Sequence, residues 1–329
     1  MSTSTSSSCS GPTVRGRFAP TPSGRMHLGN AFAALVAWLS ARAAGGEMVM
    51  RVEDLDPRAA SRERAELLMD DLRWLGLDWD EGPFWQSERG ELYDEAIARL
   101  GATGLTYPCF CSRAELHAAS APHASDGTPV YAGTCRGLSA DEVARRSAGR
   151  PPATRLRVPD ADDPVGTIEF SDLAYGPRRE VLARECGDFL VRRSDGVVAY
   201  QLAVVVDDAL MGVTQVVRGR DLLGSCARQI YLGGLLGHAA PQYGHVPLLA
   251  APDGRRLSKR EKDLDLGFIR ESGVTAERVV GLLASAAGLA EPGWEGRPGE
   301  LLGEFSWPRL RRDDIIVDEA FLDALFSRA

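Results

Sequence analysis

Apolar and polar positions along the chain fall into blocks that alternate between strand-like and helix-like spacing. VRGRFAP, residues 14–20, is short, partly apolar and closed by proline, which predicts a strand running into a loop. The loop TPSGRMHLG follows, and NAFAALVAWLSARAA, Asn30 to Ala44, has the apolar content of a buried helix that stops at Gly45-Gly46. EMVMRVEDLDP predicts a second strand ending in acids and a proline. A helix is expected next from about Arg62 to Leu75, with Leu67, Leu68, Leu72 and Leu75 on one side. Further along, DFLVRR and VVAYQLAVVV read as strands, LLGSCARQIYLGGLLG as a helix, and PQYGHVPLLAAPDG as a strand and turn leading into RRLSKREK. The runs GFIRESG, AERVVGLLASAAGLA and DEAFLDALFS then give short helices between Gly/Pro breaks. Strands alternating with helices, with ligand-friendly residues just past the strand ends, predict an α/β fold with a parallel sheet.

The alternation breaks between Gly104 and Gly187, where cysteines, prolines and short β-like runs indicate an insertion. The expected organisation is therefore a disordered Ser/Thr-rich leader (1–13), a first half-domain (14–103), the insertion (104–186), a second half-domain (187–255), and a basic loop with a small helical region (256–329). The opening MSTSTSSSCSGPTV has neither a basic n-region nor an apolar h-region, and no apolar run approaches the ~20 residues that span a bilayer. A cytoplasmic protein is expected. The net charge of −8 and pI near 5.3 argue against a broad basic nucleic-acid footprint and leave room only for a local arginine patch.

Three stretches carry candidate chemistry. In RFAPTPSGRMHLGNA, His27 and Gly29 stand at the mouth of the Asn30 helix, whose unpaired N–H groups and positive dipole end suit a phosphate. Asn30 is the one asparagine in the chain and is placed to cap that helix. In RRLSKREK, Lys259 and Lys262 are the only lysines among 38 basic side chains. Lysine is a mobile point charge able to follow a phosphate that changes shape, which a planar arginine fork does less well. Lys262 is read as a surface residue. In the insertion, Cys109, Cys111 and Cys135 suit a tetrahedral metal, for which His117 or His123 is the ordinary fourth ligand by chemistry. The remaining cysteines are assigned to the tail (Cys9) and to core space (Cys186 and Cys226).

With these motifs together, the chain resembles the class I aminoacyl-tRNA synthetases, in particular their glutamyl branch. MHLG stands in the position of the HIGH motif and RLSKR in that of the KMSKS loop, within a frame of RFAPTPSG, RVEDLDP, YPCFC, AYQLAVVVDD and VVRGRDLL. The resemblance implies a Rossmann-type nucleotide-binding domain with a zinc-type insertion. It implies His27, Gly29 and Lys259 as catalytic residues, with Asn30, Leu257 and Ser258 joining them around ATP and Mg²⁺. It also implies L-glutamate held by Arg17, Thr21, Glu53, Tyr200 and Arg218, and one structural Zn²⁺ on Cys109, Cys111, Tyr131 and Cys135. Met26 stands where the motif has its first histidine, and Arg256 where it has its first lysine.

Only 69 residues follow Arg260, so a long anticodon-binding portion is not expected. That matches a short paralogue of the branch, whose activity would be activation of glutamate without tRNA. Transfer would follow to queuosine in the anticodon stem-loop of tRNA(Asp), by a monomer. The alternatives are a truncated enzyme charging the 3′ end of tRNA(Glu), and a catalytically silent module binding glutamate or tRNA.

Overall fold

A computed structural model describes residues 13–56, 58, 61–112, 115, 130–254 and 264–327. Strand β1 (Arg15–Phe18) is extended and buried. Gly16 in it is required by close packing, since a Cβ there would lie 2.8 Å from Met48 Sδ and 3.3 Å from Ala41 Cβ. Helix α1 (Leu28–Ala43) crosses from β1 to β2 (Glu47–Val52) and buries Leu28, Phe32, Leu35 and Leu39. Each such side chain contributes about 1.5–3 kcal/mol on leaving water. Helix α2 (Arg62–Trp74) is capped by Ser61, which accepts from the Arg64 N–H, and β3 (Glu81–Trp85) follows. β1, β2 and β3 pair in parallel in that spatial order.

Helix α3 (Gly90–Ala102) has no counterpart in the sequence reading. It leads to β4 (Thr106–Cys109). Helix α4 (Ala140–Ser147) opens with a Ser139–Glu142 capping box. Then come β5 (Ala153–Leu156), β6 (Thr167–Asp172), β7 (Gly176–Val181) and β8 (Phe189–Arg192). β4, β5 and β8 form a separate antiparallel sheet, while β6 and β7 make an antiparallel hairpin.

VVAYQLAVVV, expected as a strand, is mostly helix: only its first residues are extended, and α5 runs Tyr200–Leu210. A continuous apolar run does not tell a buried strand from a buried helix. Here every residue from Leu202 to Asp207 is buried, because α5 is packed by α3, by β8 and by α6 (Cys226–Leu235). β9 (Gln215–Gly219) precedes α6, and β10 (Gln242–Val246) follows it; a 3-10 turn, Arg220–Ser225, links β9 to α6. β10 pairs in parallel with β9 and with β6. β9 lies alongside β1, with Thr214 N donating to Arg15 O at 2.9 Å. The layer thus reads β3-β2-β1-β9-β10-β6-β7, and successive strands run outward in opposite directions from the β1/β9 seam. In sheets of this kind, ligands bind at such a seam, beyond the strand C-termini.

The remaining described chain adds β11 (Leu249–Ala250) paired with β12 (Ile315–Ile316), and helices α7 (Leu266–Glu271), α8 (Ala276–Ala286) and α9 (Glu319–Phe326). Leu266, Ile269, Val280, Leu283 and Phe321 join α1 and α2 in one hydrophobic core, so this region is continuous with the parallel layer. No described helix is long and apolar enough to cross a membrane.

Candidate active site

β1 ends at Phe18 and β9 at Gly219, and a cavity of about 510 Å³ opens there. Arg17, Thr21, His27, Gly29, Asn30, Glu53, Tyr200 and Arg218 all line it. The structure therefore brings into one cavity each candidate for glutamate and nucleotide that falls within the described residues. Leu257, Ser258 and Lys259 lie outside the described residues, as do His117, His123 and Lys262.

The first motif is held by its surroundings. Asp71 on α2, fully buried, accepts from Arg25 Nη1 at 2.5 Å and from the Met26 N–H at 3.1 Å. Burial pushes its carboxyl above the ordinary range, and the two donors hold it back. On the other side, Leu266 N donates to Met26 O at 2.8 Å and His27 forms a β-bridge with Asp265. This fixes extended backbone at His27 and starts α1 at Leu28, so His27 and not Asn30 is the N-cap residue. Asn30 lies within the first turn, its N–H directed to His27 O at 2.9 Å. Gly29 leaves room for the imidazole, since a Cβ there would stand 3.2 Å from His27 Nδ1 and Cε1.

Two guanidinium groups, of Arg17 and Arg218, line the cavity, and that of Arg51 is buried near Arg17. Arg17, 6% exposed, donates from Nη1 to Val217 O at 2.9 Å. Its Nε, 3.7 Å from Asp208, makes no hydrogen bond among the described residues. Arg51, completely buried, bonds Asp208 at 2.6 Å and Glu53 at 3.2 Å. Arg218 donates to His245 Nε2, Leu222 O and Cys226 Sγ. Burial pulls Arg17 below its ordinary pKa; Asp208 opposes this, while Arg51 and Arg218 add to it. Burial likewise pushes Glu53 up, with Arg51 and Arg17 pulling back. The guanidinium groups are interleaved with the carboxylates of Asp208 and Glu53, and an anionic ligand would give Arg17 a further partner.

Arg51, Asp208, Asp71, His245 and Asp172 were missed from sequence. Arg51 had a signal, since it shares a strand face with Glu53 at a spacing of two. Asp207-Asp208, ending a long apolar run, also asked for buried cations. His245 and Asp172 carried none.

At the end of β4, the sulfurs of Cys109, Cys111 and Cys135 lie within 4.8 Å of one another and could hold a metal ion. Cys111 Sγ is 3.6 Å from Cys135 Sγ, and Tyr131 Oη is 3.5 Å from Cys111 Sγ and 3.6 Å from Cys109 Sγ. A tetrahedron with metal–sulfur bonds near 2.3 Å has edges of about 3.8 Å, so the spacing fits. Tyr131 Oη also accepts from the Cys135 N–H at 2.8 Å. Burial raises the Cys109 thiol, but Arg155, donating from Nε at 3.2 Å, together with the Cys111 backbone and Tyr131 outweighs it and leaves it below its usual range. Cys111 is pushed up to about 11 by burial and its sulfur neighbours. Thiols that resist ionising together are what a dication stabilises.

A parallel layer with a cleft at its seam, and a helix N-terminus at the rim, is where doubly wound α/β folds hold anionic ligands. The family described as tRNA synthetases class I (E and Q), catalytic domain, matches residues 13–287, and the chain belongs to it. Among curated relatives, the chain is 52% identical over 323 residues to the Glutamyl-Q tRNA(Asp) synthetase of Symbiobacterium thermophilum, covering 94% of this chain and 98% of that protein. It is 47% identical to the protein of the same name from Nitratidesulfovibrio vulgaris, covering 95% and 98%. Against Glutamate--tRNA ligase 1 of Halorhodospira halophila identity is 45%, covering 83% of this chain and 58% of that one. A crystal structure of a glutamate tRNA ligase from Elizabethkingia meningosepticum, in complex with its amino acid, superposes with a TM-score of 0.78 at 26% identity, covering 95% and 68%.

Proposed function

We propose that the chain activates L-glutamate with ATP in the absence of tRNA and passes the glutamyl group to queuosine in the anticodon stem-loop of tRNA(Asp). Similarity to Glutamyl-Q tRNA(Asp) synthetases over nearly the whole chain favours this acceptor over the 3′ end of tRNA(Glu) and over a silent binding module. The observation that carries glutamate is the pair of buried arginines, Arg17 and Arg218, lining one cavity with Glu53. Arg17 and Arg218 would take the two carboxylates, Glu53 the ammonium, and Tyr200 and Thr21 would add hydroxyl contacts. His27, Gly29 and Asn30 would cradle the phosphates at the N-terminus of α1.

The substrate's α-carboxylate attacks the α-phosphate of ATP and pyrophosphate leaves, so no protein nucleophile is needed. The protein's part is orientation and stabilisation of charge at phosphorus. Lys259, with Leu257 and Ser258, is assigned to that charge, and Mg²⁺ accompanies ATP on its phosphates and water. The reading places a monomer in the cytoplasm.

Pyrophosphate exchange should proceed with glutamate and ATP alone, and fail with glutamine or aspartate. Labelled glutamate should reach tRNA(Asp) only when it carries queuosine; labelling of tRNA(Glu) instead would overturn the acceptor assignment.

For the metal, Zn²⁺ on Cys109, Cys111, Cys135 and Tyr131 is proposed, with a structural role in holding the insertion together. Losing an outer partner of a metal ligand weakens binding about 10- to 100-fold, and loss of a ligand should exceed that. Cys135→Ser should therefore purify with little zinc and melt earlier than the parent. Equal zinc content and equal melting would contradict the assignment.

A further inference from the structure

Arg218 is the end of a directional chain of buried polar groups. Its Nε donates at 3.1 Å to Nε2 of His245, its register partner on β10. His245 is completely buried, and its Nδ1 lies 2.6 Å from Asp172 Oδ2 at the end of β6. A guanidinium has only donors, so Nε2 must present its lone pair and the single imidazole proton must sit on Nδ1, given to Asp172. An imidazolium would set N–H against N–H. Burial, opposed by Asp172 and reinforced by Arg218 and Arg17, pushes His245 below its ordinary range and keeps the ring neutral.

We infer that Asp172 and His245 are positioning residues for glutamate: by fixing the imidazole tautomer they set the angle at which Arg218, held through Nε and Nη2, presents Nη1 to a substrate carboxylate. The inference rests on the reading that Arg218 binds glutamate. The other contacts of Arg218, to Leu222 O at 3.1 Å and Cys226 Sγ at 3.3 Å, both involve Nη2, so the bond to His245 is what orients Nε.

The surroundings of Asp172 supply an isosteric test. Its Oδ1 accepts from the N–H groups of Ala174 at 3.0 Å and Tyr175 at 2.9 Å. In Asp172→Asn the amide must leave its oxygen facing those donors and turn its NH₂ toward His245 Nδ1. The imidazole proton is then forced to Nε2, against the Arg218 N–H. Shape is kept and the direction of the chain is reversed.

Glutamate and ATP KM values from pyrophosphate exchange decide the matter, with melting temperatures taken alongside. Asp172→Asn should raise the glutamate KM about ten- to a hundredfold, the worth of a charge-assisted hydrogen bond, with ATP KM unchanged. His245→Phe, which fills the ring's place without an acceptor, should do the same. His245→Gln, whose Oε1 can accept from Arg218, should stay near the parent. An unchanged glutamate KM in Asp172→Asn or His245→Phe, an equal rise for ATP, or no difference between His245→Phe and His245→Gln would overturn the inference. Arg218→Gln separates the two layers: if it too leaves the glutamate KM unchanged, it is the assignment of Arg218 to glutamate that fails.

Discussion

Lys259→Arg is expected to lower glutamate-dependent pyrophosphate exchange about a hundredfold or more while the protein stays folded, because it keeps the charge and loses the shape. The chain uses arginine at 36 of its 38 basic positions, so a retained lysine marks a place where the fork does not serve. An ammonium on a four-carbon stem can track the α-phosphate as it passes through its crowded geometry, whereas a planar guanidinium holds one orientation. Lys259 itself lies outside the described residues, but the chain next to it is anchored at the cavity. Leu248 and Leu249 line the cavity, Leu264 is buried in the main core, and Asp265 bridges to His27. Lys262→Arg is the matched control and should exchange at the parent rate. Saturating glutamate and ATP make the comparison one of turnover; a near-parental rate in Lys259→Arg would remove the reason for assigning that side chain to phosphorus.

The first strand, its loop and the following helix were legible because their apolar spacing, proline stop and glycines act over neighbouring residues. The start of α1 was not: Asn30 looks like a cap in isolation. A bridge to Asp265, far along the chain, fixes the extended backbone one turn earlier at His27. The same holds for α5, whose unbroken apolar run satisfies either a strand or a helix until α3, α6 and β8 enclose it. The cavity residues found from motifs line the cleft, but their supports arrive from elements with no local signature. Asp172 comes from β6, well after the Cys109–Cys135 cluster, and meets His245 only because β6 pairs beside β10. Pairings across the sheet, not patterns within a strand, decide which buried acid serves which cation.

Arg51→Met should cost about 3–5 kcal/mol of folding stability near neutral pH, the range for stripping a cation from a buried ion pair. Asp207 would survive the loss, since Arg89 and Tyr93 bond it at 2.7 and 2.8 Å. Among the described residues Asp208 would keep only Arg17, at 3.7 Å, and Glu53 would lose its hydrogen bond from Arg51. Burial already pushes Glu53 above its ordinary range with Arg51 in place, so without it the Glu53 carboxyl should hold its proton more tightly in the fold than in the unfolded chain. For such acids the penalty is absent below the unfolded pKa, near about 4, and grows as pH rises through the gap to the folded value. Urea unfolding at pH 5 and pH 8 should therefore show a larger deficit at pH 8. A deficit under about 1 kcal/mol, the level of an exposed pair, or one equal at both pH values would contradict this account. The change would reach the cleft as well. Asp208, released from Arg51, would draw Arg17 into a closer pair and shift a guanidinium that lines the cavity, so the protein that remains folded should also bind glutamate more weakly.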